Sequence, residues 1–240
     1  MERVEGRAYA GAMNLPRQCH AWDVTPQEAV EIQRQLASRV VRRFPRRKAR
    51  LVAGLDAAFP GDGGQCMAAV VVWDRVERRV VEQVVAFAPL CFPYIPGLLS
   101  FREAPALLAA LRKIECAPDV LIFDGHGFAH PRRMGIACHA GLLAGLPSIG
   151  CAKSLLVGKH AMPAHRRGSR TALMVRGERV GTVLRTRNGV KPVYVSIGHL
   201  VDLKTAEKMV LACGAGYRLP EPVRLADQLV GRAASASCTH

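Results

Sequence analysis

Hydrophobic and polar positions follow no regular period over residues 1–22, which are expected to be loose. The first ordered signal is a helix start. Thr25 can cap it, Pro26 takes the first helical position and Glu28 completes a capping box, so a helix is predicted to about Val41. Runs rich in Val and Ala follow at 51–59, 67–73 and 79–87, bounded by Gly61, Gly63 and Gly64 and by a short turn at Asp74 and Arg75. They read as a three-stranded meander. A proline-rich loop spans 88–99, and a helix is predicted from there to about Ile114. The almost wholly apolar run 119–124 has the pattern of a buried parallel strand. A glycine-rich loop, a small helix and a strand at 147–151 continue the alternation. A hairpin around Gly177 (171–185), a strand at 192–197 and helices near 202–213 and 221–231 complete the pattern. No repeat or linker interrupts it. The expectation is one α/β domain over residues 1–240, a mixed sheet flanked by helices, with a polar tail at 232–240.

Charge changes this picture. Lys and Arg total 34 against 19 Asp and Glu, a net +15, which attracts polyanions and above all nucleic acid. The segment 42–50 carries six Arg or Lys and reads as a solvated linker or a phosphate-contact arm. The eight cysteines are scattered, form no Cys-x-x-Cys pair and sit largely in apolar runs. That usage fits small buried hydrophobes in a reducing compartment. No apolar stretch approaches the ~20 residues of a membrane span, and no apolar leader stands at the N-terminus. A cytoplasmic monomer without membrane contact is expected.

The candidate chemistry is acidic. Asp56 interrupts an apolar strand and Asp124 ends one, just before Gly125-His126-Gly127. Carboxylates so placed are costly unless paired or metal-bound, and two of them can hold Mg²⁺ or Mn²⁺ through oxygen. Asp124 also fits a turn residue opening a loop. Glu103 has two readings. With Ser100 it makes a capping box, but that places Pro105 at the fifth helical position; a later helix start would free Glu103 for chemistry. His126 and His130 stand four apart, yet Gly127 and Pro131 argue against the helix that a zinc pair would need. Lys153 and His199 each follow a strand and could meet a phosphate, though either also fits a surface position. Pro93, Tyr94, Ile95, Pro96 and Gly97 form a stiff loop carrying an aromatic, suited either to packing or to wedging into a base stack.

Together these pieces resemble the endonuclease V family. The matching stretches, in order, are Asp56 in its strand, PYIPG at 93–97, FRE at 101–103, DGHG at 124–127 and HPRR at 130–133. GIACHAGLL from Gly135, Ala152-Lys153, Gly198-His199 and GYRLPEP at 216–222 follow. The resemblance covers about residues 25–227. It implies a ribonuclease H-like fold. It implies Mg²⁺ held by Asp56 and Asp124, with Glu103 partly through water, and Lys153 and His199 steadying water and phosphate. The implied activity is hydrolysis of the second phosphodiester bond 3′ to a deaminated base, chiefly deoxyinosine, in DNA repair. Tyr94 would fill the gap left by the flipped base. Backbone around Gly125, Gly127, His130, Gly135, Ile136 and Gly150 would form the base pocket. An inosine-directed ribonuclease on the same fold and a non-catalytic nucleic-acid-binding module are the rival expectations. Retention of Asp56, Glu103 and Asp124 speaks against the second.

Overall fold

A computed structural model describes residues 13, 15, 16, 19–45, 49–60 and 64–237. Expectations resting on Gly61, Gly63, the basic residues 46–48, Cys238 and most of residues 1–18 lie outside the described residues. No helix among the described residues is long and apolar enough to cross a membrane.

The first helix, α1 (Pro26–Ala37), starts as the sequence indicates: the Thr25 side chain accepts from the Glu28 N–H, and the Glu28 carboxylate accepts from the Thr25 N–H. It ends earlier than expected, at Ser38. The strands β1 (Leu51–Ala58), β2 (Gln65–Asp74) and β3 (Arg79–Pro89) form the predicted antiparallel meander. Helix α2 (Leu99–Lys113) then returns the chain to β4 (Val120–Phe123), which pairs parallel with β1. Helix α3 (Ile136–Ala144) leads to β5 (Ser148–Ala152), parallel to β4. Strands β6 (Arg170–Val175), β7 (Glu178–Leu184) and β8 (Val193–Ile197) extend the sheet, with β8 antiparallel to β5. Helices α4 (Leu203–Ala212) and α5 (Glu221–Ser237) follow. The single sheet has the order β3-β2-β1-β4-β5-β8-β7-β6.

Residue alternation explains the layers. In β2, Cys66, Ala68, Val70 and Val72 join the core with α2 and α3, while Met67, Ala69 and Val71 meet α5 on the other face. The strand is therefore apolar throughout instead of alternating. β4 is buried along its whole length for the same reason. Gly54 allows a close crossing: a Cβ there would lie 2.1 Å from the backbone carbon of Pro222, so α5 starts directly against β1.

Three expectations change. α2 begins at Leu99 with no side-chain cap, so the Ser100–Glu103 capping box does not form and the helix does not start late. Ser100 instead bonds the buried His139 ring through its hydroxyl at 2.9 Å, and Pro105 stands inside the helix. The segment expected as a polar tail continues α5 to Ser237. Near the N-terminus, Met13, Leu15 and Trp22 pack on the core instead of lying loose.

Candidate active site

The parallel register of β1 and β4 pairs Leu55 with Phe123, and the Asp124 N–H donates to Leu55 O at 3.0 Å. Asp56 and Asp124 therefore emerge side by side at the same end of neighbouring strands. Helix α5, having crossed Gly54, brings Asp227 to the same spot. One carboxylate oxygen from each of Asp56, Asp124 and Asp227 lies within 4.8 Å of the other two, the one such acidic, His or Cys group among the described residues. Glu103 approaches from α2, deeply enclosed and repelled by the charges of Asp56 and Asp124. Lys153, just past β5, donates to Asp124 at 2.6 Å and to Asp227 at 2.7 Å.

The electrostatics are strained toward a cation. Burial, and then the Asp124 charge, push Asp56 up to about 8. Burial and the two aspartates push Glu103 up to about 8. Burial also raises Asp124, although Lys153 opposes it. Lys153 is itself raised: its bonds to Asp124 and Asp227 outweigh the burial that lowers it. Four crowded carboxylates facing one ammonium resist ionising together unless a further cation joins them, and all offer hard oxygen ligands. That donor set fits a divalent metal ion. Asp227 was not among the candidate site residues of the sequence, although it lies at the end of the stretch over which the resemblance runs. Its local signal is weak: half of Arg224-Leu225-Ala226-Asp227-Gln228-Leu229 is polar, as on an ordinary amphipathic helix.

Beside the carboxylates opens a pocket of about 200 Å³. Tyr94, Ile95, Pro96, Gly97, Gly125, His130, Gly135 and Ile136 line it, as the resemblance implies for wedge and base pocket. Gly127 and Gly150 do not; they pack beneath, where a Cβ on Gly150 would come within 2.5 Å of the Gly127 nitrogen. The pocket also takes in His126, and Gln33, Ser154, Leu155 and Leu156, which the sequence did not single out. His126 bonds Ser154 O through Nε2, and its buried Nδ1 has no hydrogen-bond partner among the described residues.

The far end of the Tyr94 loop is clamped. Gly97, in the left-handed region at φ +81°, presents its carbonyl to three donors. They are Gln33 Nε2 at 3.2 Å, His130 Nε2 at 2.9 Å and Arg132 Nη2 at 2.6 Å. Gln33 is only 1% exposed and accepts from Arg132 Nε at 2.5 Å. Burial, and then Arg132, push His130 down to about 4, so its ring is neutral, with Nε2 donating and Nδ1 accepting from the Arg132 N–H. These bonds occupy His130 and leave no zinc pair with His126. Tyr94 itself stands 70% exposed above the pocket.

A family model for endonuclease V matches residues 34–228. The chain belongs to the endonuclease V family. Endonuclease V of Trichormus variabilis is 51% identical over 213 residues, 88% of this chain and 96% of that protein. The crystal structure of endonuclease V from Streptomyces avermitilis superposes with a TM-score of 0.85 at 42% identity, covering 90% of this chain and 96% of the other. The Ciona intestinalis endonuclease V, in complex with a 24mer DNA containing an inosine followed by a ribo-adenosine, superposes with a TM-score of 0.77 at 26% identity, covering 88% and 98%. The fold is therefore the ribonuclease H-like fold of endonuclease V, and this family member is a nuclease, a hydrolase of phosphodiester bonds.

One motif residue of this family member lies elsewhere. β8 runs antiparallel to β5, so the chain leaves β8 at the end where β5 begins. His199 bonds Ser148, the first residue of β5, through its backbone, and its Nδ1 accepts from the Val41 N–H at 3.2 Å. Lys153 follows the opposite end of the same strand, about 17 Å away at the usual rise. Burial and Arg39 lower His199, and none of the four carboxylates figures among the causes. The structure does not bring His199 to the carboxylates; Asp227 stands there instead.

Proposed function

We propose that this enzyme nicks DNA at the second phosphodiester bond 3′ to a deaminated base, chiefly deoxyinosine, and that its metal is Mg²⁺, with Mn²⁺ a substitute. The observation carrying this reading is adjacency: a four-carboxylate centre opens beside a base-sized pocket capped by an exposed tyrosine. Asp56, Asp124 and Asp227 would hold the ion, with Glu103 completing the acidic shell through water. Bound there, Mg²⁺ supplies an activated water and offsets charge on the leaving oxygen.

This chain's own groups do the rest. Lys153 bridges Asp124 and Asp227 and presents an ammonium to the phosphate. The Gly125 and Gly135 backbones lie at the pocket wall, held by close packing: a Cβ on Gly135 would meet the His126 carbonyl at 2.3 Å, and one on Gly125 the Ile136 side chain at 2.7 Å. Leu155, Leu156 and Ile136 supply apolar faces. Tyr94 stacks where the flipped base has left. The eight strands of one sheet support reading the chain as one domain.

A duplex with a single deoxyinosine, end-labelled on each strand, tests this. Nicking immediately 3′ to the inosine's 3′ neighbour, dependent on added Mg²⁺, is expected. Cutting independent of inosine refutes the substrate assignment. The ribo-adenosine beside inosine in the Ciona complex gives reason to run matched RNA and DNA strands together. Faster cutting of RNA replaces DNA by RNA as the substrate.

A further inference from the structure

We infer that the loops bearing Arg166, Arg187 and Lys191 form a docking ledge for the DNA backbone flanking the lesion, built as a rigid extension of the catalytic edge. The inference rests on the nuclease reading above and adds a surface that neither the pocket nor the carboxylates include. The first observation is charge. Residues 159–191 hold nine Lys or Arg and one acid, Glu178, so this segment of 33 residues carries +8 of the chain's +15.

The second observation is which of those charges are spent. Arg170 and Arg179 pair with the buried Glu207. Arg167 donates to Leu211 O and Arg185 is internal. Arg166, Arg187 and Lys191 are exposed, and among the described residues their side chains make no hydrogen bond or ion pair. A segment whose one acid, Glu178, is already paired with Arg42 and Arg133 leaves these cations unopposed, which suits a polyanion better than it suits solubility alone.

The third observation is the scaffold. Arg185, 4% exposed, donates from one guanidinium to the carbonyls of Ala164 at 3.2 Å, Pro163 at 2.8 Å and Val190. Asn188 Oδ1 accepts from the Arg167 N–H, and the Gly189 N–H donates to His165 O. These bonds staple the 163–169 loop to the 185–191 loop. Arg218 Nη2 then ties the pair to the active site, donating to Pro192 O at 2.9 Å and to the backbone carbonyl of Lys153. Ordering two polar surface loops with buried guanidiniums has a reason if the cations they carry must hold a fixed place.

Topology puts that place beside the carboxylates. Tyr194 pairs with Ala152, and Leu184 pairs with both Val193 and Arg170. The β7–β8 connection and the loop before β6 therefore stand at the edge where β5 delivers Lys153. Phosphates continuing from a scissile bond held at Asp124 and Lys153 meet these cations next.

The test replaces Arg166, Arg187 and Lys191 together by Gln and measures affinity for an undamaged duplex against salt. Each neutralised phosphate contributes about 0.9 to the slope of log K on log salt. The slope is expected to fall by about 2–3, and by about 0.9 in each single variant. A control triple at the opposite edge, Arg112, Lys113 and Lys204 to Gln, removes the same charge and is expected to keep the slope. Melting curves check that the folds are retained, and the single variants stand in if the triple fails to fold. An unchanged slope overturns the ledge, as does an equal loss in the control, which reduces the effect to net charge. If the wild type shows the ledge-dependent slope yet never nicks inosine duplexes, the functional reading fails and the ledge stands.

Discussion

Replacing Tyr94 by alanine separates opening the DNA stack from cutting it. The ring is 70% exposed and makes no hydrogen bond or ring contact among the described residues, so its removal leaves little packing to lose. Surface changes of this kind shift stability by about 0.5 kcal/mol or less. The loop stays in place because its hold is elsewhere, in the three donors on Gly97 O. What is lost is stacking on the bases beside the vacated position, worth about 1–3 kcal/mol per base. That range corresponds to roughly 5- to 150-fold in affinity for an inosine duplex. A single-stranded inosine substrate has less stack to open, so its affinity should drop less. Filter binding on both substrates, with a melting curve and single-turnover cleavage at saturating enzyme, measures each quantity. Equal losses on both strands with a lowered melting temperature would refute the wedge and make Tyr94 part of the loop's packing.

Four further outcomes follow from the geometry. Asp227→Asn should cut nicking at fixed Mg²⁺ by at least the roughly 10–100-fold seen when outer partners of a metal are lost, while His199→Ala nicks normally; the reverse result would restore the histidine to the site. Glu103→Gln should retain inosine-duplex binding and lose most cleavage without lowering the melting temperature, since Glu103 caps nothing; wild-type turnover would remove it from the centre. With Asp56 and Glu103 pushed up to about 8, the metal-free fold binds protons that the unfolded chain has already released, so its stability falls as pH rises from about 4 to 8. A divalent metal binds the ionised carboxylates, so its thermal stabilisation should grow across that window; a shift independent of pH would contradict the raised carboxylates. Gln33→Ala leaves Arg132 Nε and Met134 O without their partner, a loss of about 1–3 kcal/mol. Beyond that cost it should reduce the preference for duplex over single-stranded inosine, and an unchanged preference would show that the clamp does not position Tyr94.

Much of this enzyme was readable along the chain because its signals are local. An acid that ends a wholly apolar strand can scarcely be anything but a site residue or a turn, and the order of apolar runs places Asp56 inside one strand and Asp124 at the end of another. The capping box at Thr25, the stiff Pro93–Gly97 loop and the meander are likewise matters of neighbouring residues. What the sequence left open depends on direction and crossing. A histidine after a strand can stand at either edge of a sheet; the antiparallel setting of β8 sent His199 to the edge where β5 begins. Ser100 and Glu103 have capping-box spacing, but the buried His139 ring draws Ser100 into the helix and leaves Glu103 facing the aspartates. Asp227 lies more than a hundred residues from Asp124 and becomes a neighbour only because a bare Gly54 lets α5 cross β1 at contact distance. The chain order supplied the acids and the pocket glycines; which of them meet was decided by strand polarity and one close helix–strand crossing, interactions between segments that no local pattern encodes.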